Sequence, residues 1–569
     1  MAETHRNPWR LPLQYGAIAG AAILYVALVG MVEMFRARSI IGGVLTLDQL
    51  LLYLPPIVAG LLVGRHPLGP QSVVERILAG LVIGLVSALP TAALILLSTV
   101  VDVRQMFVSV SPALISMLTF EQETLALGIA ILIGLLTVGG MLGVLLPLLP
   151  RTIGAPLAAG VGWMLGVGLL SELAIQILRQ LDGNTSVRAF FRNGALKPEV
   201  AVAIFVIAAL LTALWRWQRA NVRTQYERLG VAGQAAVQRT GFGLMLILLL
   251  ALPWVVGVFL SEVLVNVGLY VLMGLGLNIA VGLAGLLDLG YVTNFAVGAY
   301  VMAVLTSTGP LGIGQFNFWM IVPVSVLCAM FTGFVLALPV LRMRGDYLAI
   351  ATLGFGEIIR LLALSDWLRP YIGGSQGILF IPSPQLFGIT FSGPQTIYYL
   401  LLGACFLTLF VMIRLNNSRT GRQWMALRED EDAAAAMGID TVKTKVLAFT
   451  LSAAAGGLAG AIFAAKLGTI FPHSFNLLIS INTLAVIIVG GMGSIPGVVL
   501  GALVLVGLPE LLREFAEYRL LLYGALLIAM MLLRPEGLWP SAIRRRELYD
   551  ESTDTVGASQ VNTAPAAGD

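Results

Sequence analysis

Charged residues inside an apolar run are the first that could do chemistry. Glu357 and Arg360 lie three positions apart within residues 347–364, a run long enough for a membrane helix. At this spacing they share one helix face, and a charge at bilayer depth is costly unless it is paired or functional. Either the two residues form an ion pair that orients their helix, or they contact a polar solute in the membrane.

Two asparagines are further candidates for a solute path. Asn278 in LGLNIAVG and Asn294 in YVTNFAVGAY lie near apolar segments that glycines interrupt. Interrupted membrane helices free backbone groups that can bind a polar solute. The alternative is ordinary hydrogen bonding between neighbouring helices.

Residues 414–445 are too polar to cross a membrane. Within them the acids Glu429, Asp430, Glu431 and Asp432 precede four alanines, and Gly438 follows as a C-cap. Acids at a helix N-terminus favour the helix dipole. The pattern therefore predicts a short helix on a charged platform, which is either a solvated loop or a docking helix for a partner protein.

The residues that catalysis would need are missing from the sequence. The three histidines, His5, His66 and His473, lack metal-ligand spacing, and Cys328 and Cys405 lie in apolar runs. No G-x-x-x-x-G-K-[ST], H-E-x-x-H or G-x-S-x-G motif occurs. We expect no enzyme, no metal site and no cofactor bound by this chain, and the net charge of +4 gives no reason to expect nucleic acid.

The composition predicts an all-α polytopic membrane protein. Of 569 residues, 58% are hydrophobic and only 11% are charged, whereas soluble domains are about 25% charged. Because a membrane helix needs roughly 20 apolar residues, we predict about sixteen membrane segments. They are 15–32, 47–64, 77–100, 125–149, 155–178, 199–215, 243–260, 263–285, 289–308, 318–341, 347–364, 396–414, 444–466, 478–491, 496–508 and 518–533.

The basic residues predict the orientation of these segments. With the N-terminus inside and every run crossing, Lys and Arg favour the inside segments by about two to one. Both termini are then cytoplasmic.

The short runs 478–491 and 496–508 form a pair that either crosses the membrane or re-enters it from one side. Gly490, Gly491, Gly493 and Gly497 surround the junction between them. Turn geometry and close helix packing explain these glycines without any contact to a solute.

Composition also divides the chain into four regions. Residues 1–215 hold six membrane runs, 216–242 form a basic cytoplasmic linker, and 243–541 hold the remaining runs. Residues 542–569, which are acidic from 547 onward, have the composition of a disordered tail.

Six stretches of the third region resemble a known family, in the family's order. They are GLGLNIAVGLAGLLDLGY (274–291), VLRMRGDYLAIATLGFGEIIRLL (340–362), GGSQGI (373–378), GRQWMALREDEDAAAAMGID (421–440), VGGMGSIPGVVLGALVLVGLPELLRE (489–514) and LRPEGLWP (533–540). The region is similar to the LivM-type permease subunit of branched-chain amino acid ABC transporters. The first six spans carry none of these motifs, so scaffolding or interaction is the default expectation for them.

The resemblance implies an importer in the inner membrane of a prokaryotic cell. Its partners would be a second permease subunit of the LivH type, two cytoplasmic ATPase subunits that use ATP, an extracytoplasmic solute-binding protein and membrane lipid. The loop at Glu429–Asp440 would then be received by the ATPase. Two alternatives stay open: a permease for urea, amides or another small polar solute, and a membrane scaffold or sensor that does not transport.

Overall fold

The computed structural model describes residues 9–67, 69–228, 230–340, 343 and 345–511, then 518, 521, 524–525, 527–528, 530, 534 and 536–540. The predicted tail at 542–569 and most of the predicted run 518–533 lie outside the described residues. The chain forms two compact units, Met1–Met245 and Leu246–Asp569. Their boundary falls three residues beyond the end of the predicted basic linker.

The first unit is helical, with a small sheet. Its helices are α1 (Arg10–Leu28), α2 (Met31–Phe35), α3 (Leu47–Arg65), α4 (Val73–Val100), α5 (Pro112–Leu118), α6 (Leu125–Leu145), α7 (Arg151–Leu169), α8 (Ser171–Asp182), α9 (Thr185–Phe190) and α10 (Pro198–Arg228). Its strands are β1 (Ser39–Ile41), β2 (Leu45–Thr46), β3 (Phe191–Arg192) and β4 (Ala195–Leu196).

The chain continues as a second helical series with one short hairpin, β5 (Gln385–Leu386) and β6 (Ile389–Thr390). The helices are α11 (Val231–Leu277), α12 (Val292–Thr306), α13 (Phe318–Val340), α14 (Asp346–Leu364), α15 (Arg369–Ile372), α16 (Pro394–Asn416), α17 (Arg419–Glu429), α18 (Glu431–Ala436), α19 (Thr441–Leu467), α20 (Leu477–Gly490), α21 (Ile495–Ala502) and α22 (Leu508–Leu511). Two π-helical segments, Asn278–Leu283 and Leu503–Gly507, follow α11 and α21.

The protein is an all-α polytopic membrane protein, which confirms the predicted fold class. Among the described residues, 12 helices are long and apolar enough to cross a membrane. The helical stretch Gly233–Leu283 combines two predicted runs, because its helices continue across a non-helical residue at Gly257. Two further apolar helices, Val292–Thr306 and Ile495–Leu511, are shorter. The structure therefore supports the predicted fold class, while the predicted number of about sixteen membrane segments is only approximate.

The sheet of the first unit constrains the topology of that unit. Strand β1 pairs in parallel with β4, and β2 and β3 flank them. Because paired strands lie on one side of the membrane, the helices between Ile41 and Leu196 must cross it an even number of times. The predicted runs between these two positions satisfy that requirement.

Glycines let the helices of the first unit approach closely. On α6, a methyl group at Gly143 would overlap the carbonyl oxygen of Ile57 in α3. The Cβ position of Gly60 lies 2.5 Å from the carbonyl oxygen of Gly140. In membranes, where helix association depends on van der Waals packing, small residues at such contacts are favourable.

The substitution Gly143→Ala is expected to destabilise the protein by about 1–3 kcal/mol, because the added methyl group forces α3 and α6 apart. Gly134→Ala is the matched control, since nothing lies within 4 Å of the Cβ position at Gly134 on the same helix. Alanine favours helix over glycine by about 1 kcal/mol, so this variant should be neutral or stabilised. The midpoint of thermal unfolding in detergent measures both, and equal midpoints would contradict the described packing.

The second unit is built around α12, α13 and α19, whose contacts also rely on glycine. The Cβ position of Gly298 in α12 falls on the backbone of Gly457 in α19, and that of Gly460 falls on the carbonyl of Phe295. Phe295 packs edge-on against Phe475, with ring centroids 5.5 Å apart. This core fixes α12, which lines the cavity described below.

Helices α20 and α21 form a tight antiparallel hairpin. Gly490 lies against Gly497, and Gly501 lies against Val486, with no room for a side chain at any of the three glycines. In the turn, Gly493 has φ +77°, a conformation that other residues rarely adopt. The backbone N–H groups of Leu538 and Trp539 donate to the carbonyls of Val489 and Gly490 at 2.8 and 2.9 Å.

Candidate functional site

The polar region between α16 and α19 folds as two short helices, α17 and α18, which together with the following turn we call the α17–α18 segment (residues 419–438). The hydroxyl of Ser418 caps α17 by accepting from the N–H of Gly421 at 3.2 Å. A carboxylate oxygen of Asp430 caps α18 by accepting from the N–H of Ala433 at 2.8 Å. Gly438 follows with φ +84°, as a helix-ending glycine should.

Trp424 anchors this segment to the membrane helices. Its side chain is fully buried, with 0% exposure. Its indole Nε1–H donates to the carbonyl of Thr444, at the start of α19, at 2.9 Å. The segment is therefore held against the bundle by a large apolar contact and one hydrogen bond.

A buried ion pair gives a second anchor. The ammonium of Lys445, only 3% exposed, lies 2.6 Å from a carboxylate oxygen of Glu431. Two positions earlier, Lys443 pairs with Asp440 at the surface at 3.0 Å. There the N–H of Lys443, followed by its ammonium, holds the pKa of the Asp440 carboxyl below its ordinary value.

The four predicted acids take different positions. The acids precede the four alanines as the sequence indicates, but Glu429 ends α17, Asp430 caps α18, and Glu431 and Asp432 lie in the first turn of α18. Glu429 and Asp432 are exposed, whereas Glu431 faces Lys445. Met437, 84% exposed, lies just before Gly438. The segment thus presents acids and an apolar side chain at its surface.

The end of α17 also contacts the π-helical segment after α11. The guanidinium Nη1 of Arg428 donates to the carbonyl of Gly282 at 2.8 Å. In the same π-helical segment, the side-chain oxygen of Asn278 accepts from the N–H of Gly493 at 2.9 Å. Asn278, predicted as a solute-path residue, therefore binds the glycine turn between α20 and α21.

A cavity of about 200 Å³ lies in the second unit between α12, α14 and α15. Its walls are mostly apolar, and its polar groups come from Thr293, Tyr300 and Arg360. The hydroxyls of Thr293 and Tyr300 are buried and have no hydrogen-bond partner within the described part of the chain. Pockets for drug-sized ligands are roughly 300–1,000 Å³, so this cavity suits a smaller solute.

The predicted membrane charges lie at the edge of this cavity. Arg360 lines it, and its Nε donates to the Glu357 carboxylate at 2.9 and 3.1 Å, while Glu357 itself is not a lining residue. Asn294 also lies outside the lining, because its side-chain oxygen accepts from the Thr332 hydroxyl at 3.1 Å. The structure thus shows an ion pair with one of its charges at the cavity, and contact with a solute stays a prediction.

Sequence reasoning missed the two hydroxyls of the cavity. Thr293 and Tyr300 are seven positions apart, which places them on one face of α12. That spacing was a usable signal, although only the packing of α14 shows that the face lines a cavity. Throughout the described residues, no cluster of three His, Cys, Asp or Glu side chains could hold a metal ion.

Known proteins resemble the second unit. A family model described as the permease component of the branched-chain amino acid transport system matches residues 259–531. The high-affinity branched-chain amino acid transport system permease protein LivM of Escherichia coli (strain K12) is 41% identical over 333 residues, covering 54% of this chain and 77% of that protein. The chain belongs to the branched-chain amino acid transport permease family. The predicted resemblance is confirmed, and this permease is a transport subunit and not an enzyme.

Two more distant relatives are each 25% identical to this chain over the aligned residues. The LivH permease protein of Salmonella typhimurium aligns over 290 residues, covering 47% of this chain and 90% of that protein. The BraD permease protein of Pseudomonas aeruginosa aligns over 287 residues, covering 47% and 91%. No solved structure matches. The whole of the first unit lies outside the residues matched by the family model.

Proposed function

We propose that this permease is one membrane subunit of an ATP-binding-cassette importer for branched-chain amino acids. It works with a second permease subunit of the LivH type, two cytoplasmic ATPase subunits and an external solute-binding protein. It binds no cofactor itself, since ATP is used by the ATPase subunits. It lies in the inner membrane of a prokaryotic cell with both termini in the cytoplasm.

The α17–α18 segment carries this proposal. It is polar and yet rigidly attached, through buried Trp424 and the Lys445–Glu431 ion pair. A solvated loop without a partner does not require such anchors. A segment that transmits movement from an ATPase to the membrane helices must be firmly attached to those helices. The exposed acids and Met437 give an ATPase both charge and apolar surface to bind.

The cavity supports an amino acid with an apolar side chain as the solute. Its apolar walls suit an aliphatic side chain, and Arg360 offers a guanidinium to a carboxylate. The hydroxyls of Thr293 and Tyr300, which are unpaired within the described residues, offer further polar contacts. A buried hydroxyl without a partner is unfavourable, so a polar solute would satisfy groups that the described residues leave unsatisfied.

Reconstitution of the whole transporter tests the proposal. The permease pair, the ATPase subunits and the binding protein are placed in liposomes with leucine, isoleucine, valine or urea. We expect uptake of the three amino acids only when ATP, ATPase and binding protein are all present. If only urea is taken up, the proposed solute is wrong and the permease transports urea. If nothing is taken up although the ATPase is bound, the protein is a scaffold.

Replacing Arg360 by glutamine is expected to slow amino acid uptake by roughly tenfold or more. The reason is that hydrogen bonds to charged groups contribute about 1.5–3 kcal/mol and each 1.4 kcal/mol is a factor of ten. The matched variant is Glu357→Gln, which removes the ion pair but keeps the guanidinium at the cavity. Uptake rates are compared at one fixed concentration of loaded binding protein. Equal losses in the two variants would show that Arg360 serves only the ion pair.

A further inference from the structure

Three separate parts of the second unit meet at the side chain of Arg428. Its Nη1 donates to the carbonyl of Gly282 at 2.8 Å. The same atom lies 3.5 Å from the Cβ position of Gly493, in the turn between α20 and α21. The aliphatic part of the side chain packs on Gly285, whose Cβ position is 2.9 Å from Cγ of Arg428. One side chain thus touches the π-helical segment, the residues after it and the glycine turn.

Asn278 completes the connection between the π-helical segment and the turn. Its side-chain oxygen accepts from the N–H of Gly493 at 2.9 Å. A side chain at Gly282 would overlap this oxygen, so the fit requires glycine at that position. Arg428, Gly282, Asn278 and Gly493, which we call the relay, therefore form a continuous chain of contacts.

The elements joined by the relay lead to the cavity. The glycine turn belongs to the α20–α21 hairpin, and in α20 the hydroxyl of Ser480 accepts from the N–H of Val292 at 2.9 Å. Val292 is the first residue of α12, the helix that carries Thr293 and Tyr300. A hydrogen bond thus joins the hairpin to the helix that lines the cavity. π-helical segments occur often at functional sites.

We propose that Arg428 is the positioning residue that transmits movement of the α17–α18 segment to the cavity, through the relay. This inference rests on the proposed function, because it requires an ATPase bound to that segment. Arg428 does not touch the solute; it acts through Gly282 and Gly493. Trp424 anchors the segment to the bundle, and Arg428 links the segment to the π-helical residues Asn278–Leu283.

The test compares Arg428→Gln with Arg239→Gln in the complete transporter. Arg239 lies outside the α17–α18 segment, is exposed, and has no side-chain hydrogen bond to any described residue, so it controls for the loss of one positive charge. Three quantities are measured: ATPase retained on purification, ATP hydrolysed, and amino acid transported per ATP. For Arg428→Gln we expect normal retention and continued hydrolysis, with transport per ATP reduced about tenfold, or roughly 1.4 kcal/mol. Arg239→Gln should match the wild type.

Two further variants separate the contact from the charge and from folding. Arg428→Lys still offers a donor to Gly282 and should recover most of the transport per ATP. Asn278→Leu breaks the other end of the relay while leaving Arg428 in place, so it should reduce transport per ATP even if Arg428→Gln accumulates poorly. The double variant Arg428→Gln with Asn278→Leu should lower transport per ATP no further than the more severe single variant, because residues of one relay act as a unit.

The results distinguish failure of this inference from failure of the proposed function. A wild-type transporter that imports no amino acid contradicts the proposed function. If the wild type imports and Arg428→Gln keeps the wild-type ratio of transport to ATP, the relay does not transmit and the inference is overturned. Loss of ATPase retention in Arg428→Gln would also overturn it, since Arg428 would then serve docking. Additive losses in the double variant would show two independent sites.

Discussion

Replacing Trp424 by alanine is expected to release the α17–α18 segment from the bundle and to abolish transport. The substitution removes a fully buried indole and its hydrogen bond to Thr444. Truncation of a buried aromatic residue to alanine costs about 3–5 kcal/mol. Because the segment lies outside the membrane helices, this loss should fall on its attachment. We expect normal abundance in the membrane, little ATPase retained on purification, and no uptake.

Two tryptophan variants define the cause. Trp424→Phe keeps most of the apolar contact and loses only the hydrogen bond, so it should retain ATPase and much of the uptake. Trp367→Ala removes an exposed indole in the same unit and should have no effect. Retention of ATPase by Trp424→Ala would mean that the anchor is unnecessary for docking. Limited proteolysis should cut Trp424→Ala within residues 419–438 faster than the wild type.

The second large effect is expected at the buried ion pair. Glu431→Gln leaves the ammonium of Lys445 buried without its carboxylate. Breaking a buried pair by removing one partner costs about 3–5 kcal/mol. We expect the start of α19 to rearrange and the α17–α18 segment to lose its place, with loss of ATPase retention. Uptake and copurification measure the result.

The control for this variant is Asp366→Asn, which removes an exposed acid 3.8 Å from Arg369, outside the α17–α18 segment. Exposed ion pairs contribute about 0–1 kcal/mol, so this variant should retain its ATPase. The double variant Glu431→Leu with Lys445→Leu removes both charges together and should be milder than Glu431→Gln. If Glu431→Gln behaves like Asp366→Asn, the pair contributes nothing to docking. If the double variant is worse, the charges are needed for another purpose.

The membrane helices could be predicted because lipid imposes length and composition on each helix separately. The runs at 347–364 and 444–466, for example, correspond to α14 and α19. The α17–α18 segment could be predicted for a similar local reason, since its charges keep it out of lipid. The sequence prediction did not include α17, the helix before the acids, which ends at Glu429.

The partners of individual side chains could not be predicted, because they come from distant parts of the chain. Arg428 and Gly282 are 146 positions apart, and Asn278 and Gly493 are 215 apart. Glu431 could have been assigned to any nearby base, and only the burial of Lys445 selects one. The cavity lies where α12 meets α14. Both helices are apolar around most of their surface, so their sequences do not indicate which helix packs against which.

Leu538 and Trp539 donate backbone hydrogen bonds to the end of α20. These bonds form late in biosynthesis, because the donors are synthesised after the acceptors. The ribosome adds roughly 5–20 residues per second, and these donors are made about fifty residues after the carbonyls of Val489 and Gly490. For several seconds the glycine turn must exist without them. A ribosome that stalls in that interval leaves a nascent bundle with two open carbonyls at its turn.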